Sequence, residues 1–491
     1  MERAYGSLAP ERRDLLSKIS CFRGSMEYAV LKNAFPSADL DKALLDLRKR
    51  GLLQYAGESQ RYDMHPIVRH YAYDHFTDEK RRKEAHVELA KHFSDDIPAA
   101  NTKVKTLEDL APVIELYYHM VRAGQFDEAY NLFDERLNSP LFYQFGAYQI
   151  FIELQSVLFD EKTNIPRVKK ERQVHILNDI AGSYAYCGQP HRAILLVEQA
   201  IKFLEPQGNK QNLATGLGNM ATQQLVIGAL SAAEHNLRRR IDLCREIGNE
   251  RSDAIGHQEL GRVLSYRGAW WEAEQELDTG LKLFEKEHDV QSECVIWSYR
   301  ALRFLFTARG ELISNHLSVT SVKSAIECAQ HALELADETT RTKQPYPRDY
   351  IHVYWLLGAA YRMNNDLTLA EENLSKALNL CRKINMVDHE ADILLDLARL
   401  RYAQGDFKDA QEKASEALMI TERSEYVLQG ADVNLFLAEL ALKGYKSGGL
   451  SDKDVAMLHA KEALKLATCD GPPYYYKVAY EEAERMLEKL K

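Results

Sequence analysis

Large apolar residues recur along the chain at a fixed distance from small ones. Ile180, Met220 and Leu260 each stand eight residues before a glycine, Gly188, Gly228 and Gly268. Each glycine is followed five residues later by an alanine: Ala193, Ala233, Ala273. The interval is 40 residues, and the pattern returns less regularly at Gly310, Asn365 and Gly405. Between these marks the apolar positions are spaced by three and four, the period of a helix packed along one face. A helical pattern with a period of this size predicts a solenoid of stacked helix pairs, because one pair cannot bury its apolar face alone.

The repeat beginning near Val174 shows what each position has to do. Ile180, Ala181 and Tyr184 share one helix face. Gly188 ends that helix, since glycine enters the left-handed conformation without a Cβ clash. Pro190 opens the second helix, where a missing N–H costs little. Ala193 stands where the two helices come closest, and Ala200 faces the next pair. Gly208-Asn209, Gly248-Asn249, His288-Asp289 and Ile384-Asn385 close the second helices. Two copies are long. Residues 310–325 hold about ten extra residues, placed to fold over the inner face, and the copy marked by Leu437, Ala456 and Ala463 holds about six. Arg240 and Arg303 replace small residues. A degenerate copy at Leu116, Gly124 and Ala129 precedes the array, and 141–160 reads as one more irregular helix or pair.

Residues 8–78 break the period. The pattern predicts a helix over 10–19, a second capped by Ser25 and running to Phe35, and a third from Ser37 to Arg50. Two short strands follow, 52–56 and 61–64, around residues 57–60. His65-Pro66 then opens a helix over 67–76. Three helices and a hairpin predict a small winged-helix domain.

Composition narrows the function. The chain has 491 residues and a formal charge of −10, with 63 basic and 73 acidic side chains. Residues 1–100 hold 17 basic and 16 acidic side chains, so the acidity lies in the repeats. A general nucleic-acid surface needs a basic face to displace counterions, which speaks against that class. The third helix, 38–50, carries Asp39, Asp41 and Asp46 and would set carboxylates against phosphate. Seven scattered cysteines without a C-x-x-C pair suit a reducing compartment, and Cys244 and Cys381 share one repeat position as small core residues. There is no 18-residue apolar stretch and no apolar leader, so the expected location is cytoplasmic. No P-loop sequence, metal-ligand cluster or nucleophile–base grammar is present, and the expectation is a binding protein rather than an enzyme.

The repeats resemble the tetratricopeptide repeat in a longer form. Leu357, Gly358, Tyr361, Ala370 and Ala377 are the best copy, with Leu260, Gly261, Ala273 and Leu397, Ala398, Ala410, Ala417 in others. The N-terminal segments resemble the winged helix of STAND ATPases, the NB-ARC-type signalling switches. The matching stretches are Ala43-Leu44-Leu45-Asp46-Leu47, Gly51-Leu52-Leu53 and Met64-His65-Pro66-Ile67-Val68-Arg69. The resemblance implies a mainly α chain, an α-solenoid of tetratricopeptide-type hairpins preceded by a small winged-helix domain. The divisions are 1–78 for the winged helix, 79–107 for a connecting helix and linker, 108–170 for degenerate repeats and 171–491 for a superhelix of about seven repeats. It also implies that the chain is the C-terminal part of a longer switch. His65 would then sit beside the phosphate of ADP or ATP held by a nucleotide-binding domain outside this chain. Many members carry Asp after this histidine; Pro66 stands here. No cofactor is expected in the chain itself.

In tetratricopeptide pairs the first helix lines the concave groove. Counting from the large apolar residue places Tyr186, Arg262, Tyr266, Trp297, Arg300, Phe304, His352, Trp355, Arg362, Arg399 and Tyr402 in it. Aromatic residues and arginine dominate binding hot spots. The expected partners are a protein or peptide trigger and the nucleotide-binding domain, with self-association on activation and no membrane. Such switches serve transcriptional control or antiviral defence. The alternative is a transcriptional regulator whose winged helix binds DNA. The triplet Arg238-Arg239-Arg240 reads as a solvated charge run.

Overall fold

The computed structural model describes residues 2–57, 60–97, 103–313, 319–443 and 452–491. The chain divides into two compact units: Met1–Pro140 with Ser156–Lys169, and Leu141–Gln155 with Lys170–Lys491.

After a short helix, Glu2–Gly6, the first unit has helices Pro10–Ile19, Tyr28–Ala34 and Leu40–Lys49. Their apolar faces meet in a core where Leu16, Ile19, Leu31 and Leu47 have no exposed surface. Gln54–Ala56 and Arg61–Asp63 form the expected hairpin, although residues 58 and 59 of its turn lie outside the described residues. A third strand, Met26–Glu27, pairs antiparallel with the other side of Arg61–Asp63, so Met26 and Tyr55 both stand opposite Tyr62. This strand displaces the expected cap. Ser25 is drawn into extended chain, its Oγ accepts from Arg61 Nε at 2.9 Å, and the second helix starts only at Tyr28. Likewise Ser37 accepts from the Asp39 amide, and Leu40–Lys49 begins after Asp39. Pro66–Asp74 and Glu79–Asp96 complete this part. Beyond them Ala111–Ala123 and Phe126–Phe133 form the degenerate pair, joined through Gly124 at φ 83°, with Ala129 fully buried.

The second unit is an α-solenoid. Its described pairs are Lys170–Tyr186 with Pro190–Leu204, Lys210–Val226 with Leu230–Glu246, Glu250–Tyr266 with Trp270–Glu287, and Val290–Ile313 with Val319–Thr342. Pro347–Met363 with Leu367–Lys383, Val387–Ala403 with Phe407–Ser424, and Val427–Leu442 with Asp452–Thr468 follow, and Lys477–Leu490 closes the row. The repeat chemistry accounts for the turns. Gly188, Gly228, Gly268, Asn365 and Gly405 all have positive φ, 63° to 83°. Ala193, Ala233, Ala273, Ala370 and Ala410 have no exposed surface, and neither do Ala200, Ala377 and Ala417. Asn209, Asn249, Asp366 and Asp406 cap the following helix by accepting the amide three residues on, each such bond contributing about 1 kcal/mol. Cys244 and Cys381 are buried, as their apolar setting requires.

Two expectations need correction here. Gly310 is not a turn. The helix Val290–Ile313 runs through it, and the Trp270 ring packs where a Cβ would stand, 2.9 Å from Cη2. The middle of the long insertion, 314–318, lies outside the described residues, as does 444–451. Arg240 is not solvated either. It is 6% exposed, lies against Gly218 and donates to the Ser252 carbonyl at 3.3 Å, while Arg238 and Arg239 pair with Glu272 and Glu205. The missing side chain at Gly218 makes the room that Arg240 occupies.

Candidate functional site

The first helix of each pair faces inward, and the solenoid turns tightly enough for early pairs to touch late ones. Lys170–Tyr186 meets Val387–Ala403, Lys210–Val226 meets Val427–Leu442, and Val290–Ile313 meets Lys477–Leu490. Each contact joins units four or five pairs apart. Polar bonds fasten them. Arg348 Nη1 donates to Tyr186 Oη at 2.5 Å, Tyr426 Oη to the Ala185 carbonyl at 3.4 Å, and Arg267 Nε to the Pro473 carbonyl at 3.1 Å. Arg309 makes the densest contact, donating to Asp432 at 2.7 Å, Glu482 at 2.6 Å and Tyr476 Oη at 3.1 Å. The turn glycines belong to the same seam: a Cβ on Gly188 would meet Val387, and one on Gly228 would meet Val427.

The concave face is thereby reduced to cavities. The larger, about 170 Å³, is lined by Tyr186, Arg262, Tyr299, Arg348, His352, Asp388, His389 and Gln429, among others. A second, about 40 Å³, lies among Tyr266, Phe306, Arg309, Trp355, Arg362, Asp396 and Arg399. Seven of the eleven groove residues read from sequence therefore line these two cavities: Tyr186, Arg262 and His352 in the first, Tyr266, Trp355, Arg362 and Arg399 in the second. Trp297, Arg300 and Phe304 do not. Trp297 packs edge-on against His331 at 4.7 Å, and Arg300 lies over Trp297 while pairing with Glu274 and Asp278 of the neighbouring outer helix. Phe304 carries the Arg303 guanidinium at 4.1 Å. The reason is the continuous helix at Gly310, which shifts the inward register by two residues. Val295, Tyr299, Leu302, Phe306 and Arg309 line the cavities instead. Tyr402 packs against Phe407 and Phe436, between pairs. In the first unit, His65 is exposed and caps Pro66–Asp74, its Nδ1 accepting the Ile67 amide at 3.3 Å.

Electrostatics sharpen the picture. Burial pushes Asp388 up to about 7, against the opposing pull of Arg348 and Arg262. Burial, with Asp432 and Asp396 nearby, raises Asp392 well above the usual carboxylate range. Asp396 goes the other way. Burial alone would raise it, but Arg362, Arg399 and a 2.8 Å bond from Trp355 Nε1 hold it low. Burial, helped by Arg262 and Arg348, drives His389 down to about 3, and the ring stacks on neutral His352 at 4.9 Å. Sequence reasoning missed Asp388, His389, Arg348 and Tyr299. The run Asp388, Asp392, Asp396, spaced by four, was a readable sign of one acidic helix face.

Comparison with known proteins matches part of the array. The tetratricopeptide repeat family model matches residues 349–423. Those residues supply His352, Asp388 and His389 to the first cavity and Trp355, Arg362, Asp396 and Arg399 to the second. The array is thus a tetratricopeptide-type solenoid, an architecture that binds proteins and peptides. No curated protein matches the chain in sequence. Among solved structures it is similar to the Signal Transduction ATPase with Numerous Domains (STAND) protein with a tetratricopeptide repeat sensor from Pyrococcus horikoshii. That match has 19% identity and a TM-score of 0.44, and covers 94% of this chain and 64% of that one. The chain thus spans just under two thirds of that protein's length. A Rap protein complexed with competence and sporulation factor matches at 13% identity and TM-score 0.44, over 71% of this chain and 98% of that one. The Rap conjugation gene regulator of plasmid pLS20, in complex with the Phr* peptide, matches at 12% and 0.42, over 85% and 96%. Among the described residues no helix is long and apolar enough to cross a membrane.

Proposed function

We propose that this chain is the sensing part of a STAND-type signalling switch. The solenoid's inner face receives a protein or peptide trigger. The helices and small sheet of residues 8–78 act as a winged helix that couples the event to a nucleotide-binding domain, where His65 approaches ADP or ATP. The observation that carries the reading is the self-closure of the inner face. A face lined with arginine, aspartate and aromatic side chains is held shut by bonds between pairs far apart in sequence, above all at Arg309. Such a surface has two arrangements, closed on itself or opened on a partner, and a ligand that prefers one shifts the balance. The acidic side chains of 38–50 stand among its basic ones, Asp39 pairing with Arg12 at 2.5 Å and Asp46 with Arg50 at 3.0 Å, which speaks against that helix as a DNA-reading face.

Affinity capture from host lysate tests this, using wild type, Arg309→Met, Trp297→Ala and a destabilised control, Gly358→Ala. Opening the face should raise recovery of one protein with Arg309→Met and leave it unchanged with the other two. Equal recovery by Arg309→Met and wild type would refute the role of the inner face.

A further inference from the structure

Arg262 and Arg348 differ from the other arginines of the inner face. Arg309, Arg362 and Arg399 each reach a carboxylate at 3.3 Å or less. The nearest carboxylate to Arg262 is Glu259 at 3.6 Å, and the nearest to Arg348 is Asp349 at 3.8 Å. Both guanidinium groups instead lie over tyrosine rings, Tyr299 at 5.3 Å and Tyr186 at 5.7 Å. Their hydrogen bonds go to the same two tyrosine hydroxyls, at 3.5 Å and 2.5 Å. Guanidinium forks normally take carboxylate or phosphate in pairs of bonds, and here two of them line one cavity with that capacity unused.

A complementary set lines the same cavity. Asp388 Oδ1, His389 Nδ1 and Gln429 Oε1 are buried and have no hydrogen-bond partner among the described residues. Gln429 is only 7% exposed. Buried polar atoms without partners are costly enough to need a reason. Gln429 Oε1 can only accept, and so can Asp388 Oδ1 in the ionised carboxylate, so they call for a donor; the arginines call for an anion. A plain anion would satisfy the arginines but stand against Asp388. A neutral sugar would leave both guanidinium charges unanswered. A molecule carrying both charges answers both sets.

We propose that this cavity binds a small zwitterion, a free α-amino acid or a dipeptide, with its carboxylate on Arg262 and Arg348 and its ammonium on Asp388 and Gln429. The volume, about 170 Å³, lies below the ~300 Å³ at which sites for drug-sized molecules begin, which suits a ligand of this size. Tyrosine walls suit the ammonium, whose charge is attracted to ring faces. Because Tyr186 comes from the first pair and Asp388 and Gln429 from the sixth and seventh, the bound molecule ties early repeats to late ones and holds the solenoid closed. The site stands on the cavity itself and is independent of whether a protein partner opens the inner face.

The test uses the purified full chain and a panel of the twenty free amino acids and the glycyl dipeptides, followed by calorimetry and thermal unfolding. At least one member should bind with a Kd of ~1 mM or tighter and raise the unfolding temperature in proportion to its concentration. Capping either end of that ligand, by N-acetylation or by amidation of the carboxylate, should weaken binding at least ~10-fold. Arg348→Gln and Asp388→Asn should each do the same, and Gln429→Met, which keeps the shape of the side chain, covers the case in which a charge variant fails to fold. Absence of binding by the whole panel at ~10 mM would overturn the proposal. So would equal binding of the N-acetylated ligand or of inorganic phosphate, which would make it a site for anions alone.

Discussion

Replacing Arg309 with methionine removes one charge and keeps most of the apolar stem, so it isolates the fastening of the solenoid from its packing. Arg309 and Asp432 side chains are each 12% exposed, and Glu482 is 35% exposed. Breaking a buried pair by removing one partner costs about 3–5 kcal/mol, because the remaining charge is stranded. Two features reduce that here. Asp432 keeps the 2.9 Å bond from Tyr476, and Glu482 can turn to solvent. A loss of about 3 kcal/mol is the expected value, local to the seam between Val290–Ile313, Val427–Leu442 and Lys477–Leu490. A repeat array unfolds in parts, so a global melting curve would blur this. Native-state hydrogen exchange reads it directly. Amides of Lys477–Leu490 should exchange roughly a hundredfold faster in Arg309→Met, while Lys210–Val226 and its outer partner change little. Unchanged protection in Lys477–Leu490 would refute the argument and show that apolar packing of Tyr476, Val478 and Ala483 alone closes the row.

Three buried titratable groups make opposing contributions to stability between about pH 4 and 7. Asp388 binds its proton more tightly when folded, so stability falls as pH rises from about 4 to about 7, by at most about 4 kcal/mol. His389 and His86, each driven to about 3 mainly by burial, act oppositely: the unfolded chain takes up protons below about 6.5, and stability falls as pH drops. The two histidines together outweigh the one carboxyl below about pH 6.5, so thermal midpoints should fall as pH drops from about 7 to about 5, and Asp388→Asn should gain on wild type at about pH 8; equal midpoints there would contradict the burial of that carboxyl. Gly358→Ala should cost about 1–3 kcal/mol despite the better helix propensity of alanine, because its Cβ would press on fully buried Leu374. A lower urea midpoint with an unchanged slope would report that, whereas an unchanged midpoint would show that the pair can spread. Trp271, 76% exposed, should tolerate alanine within about 0.5 kcal/mol, and a larger loss would reveal a contact that the folded chain does not display.

The periodic part of the fold was legible because its signals are short-range and repeated. A left-handed turn residue, a small residue at a close approach and a cap three residues before an amide each leave a mark at one position, and the array repeats the mark. The same local logic fails where a neighbour decides. Gly310 has the residue type of a turn, but the Trp270 ring needs the space beside a continuous helix, and that demand comes from another element. Ser25 has the residue type of a cap, but Tyr62 claims its neighbour Met26 for a strand.

The site was legible only in part for a related reason. Helical counting finds which side chains point inward, and it found seven. It cannot find that the inward face closes on itself, because closure depends on small rotations accumulated over five pairs. Closure changes what those side chains mean. On an open groove, Arg362, Trp355 and Arg399 would be a contact surface for a partner; in the closed row they share Asp396, and that carboxylate holds them in place. The residues left with unused bonding capacity, Arg262, Arg348, Asp388 and Gln429, come from three pairs in the second half of the array and one in the first. Only the assembled turn brings them together, so a site of this kind is invisible to a reading that treats each repeat by itself. Any trigger that acts through this face has to compete with the chain's own bonds, and the strength of that competition is set at Arg309.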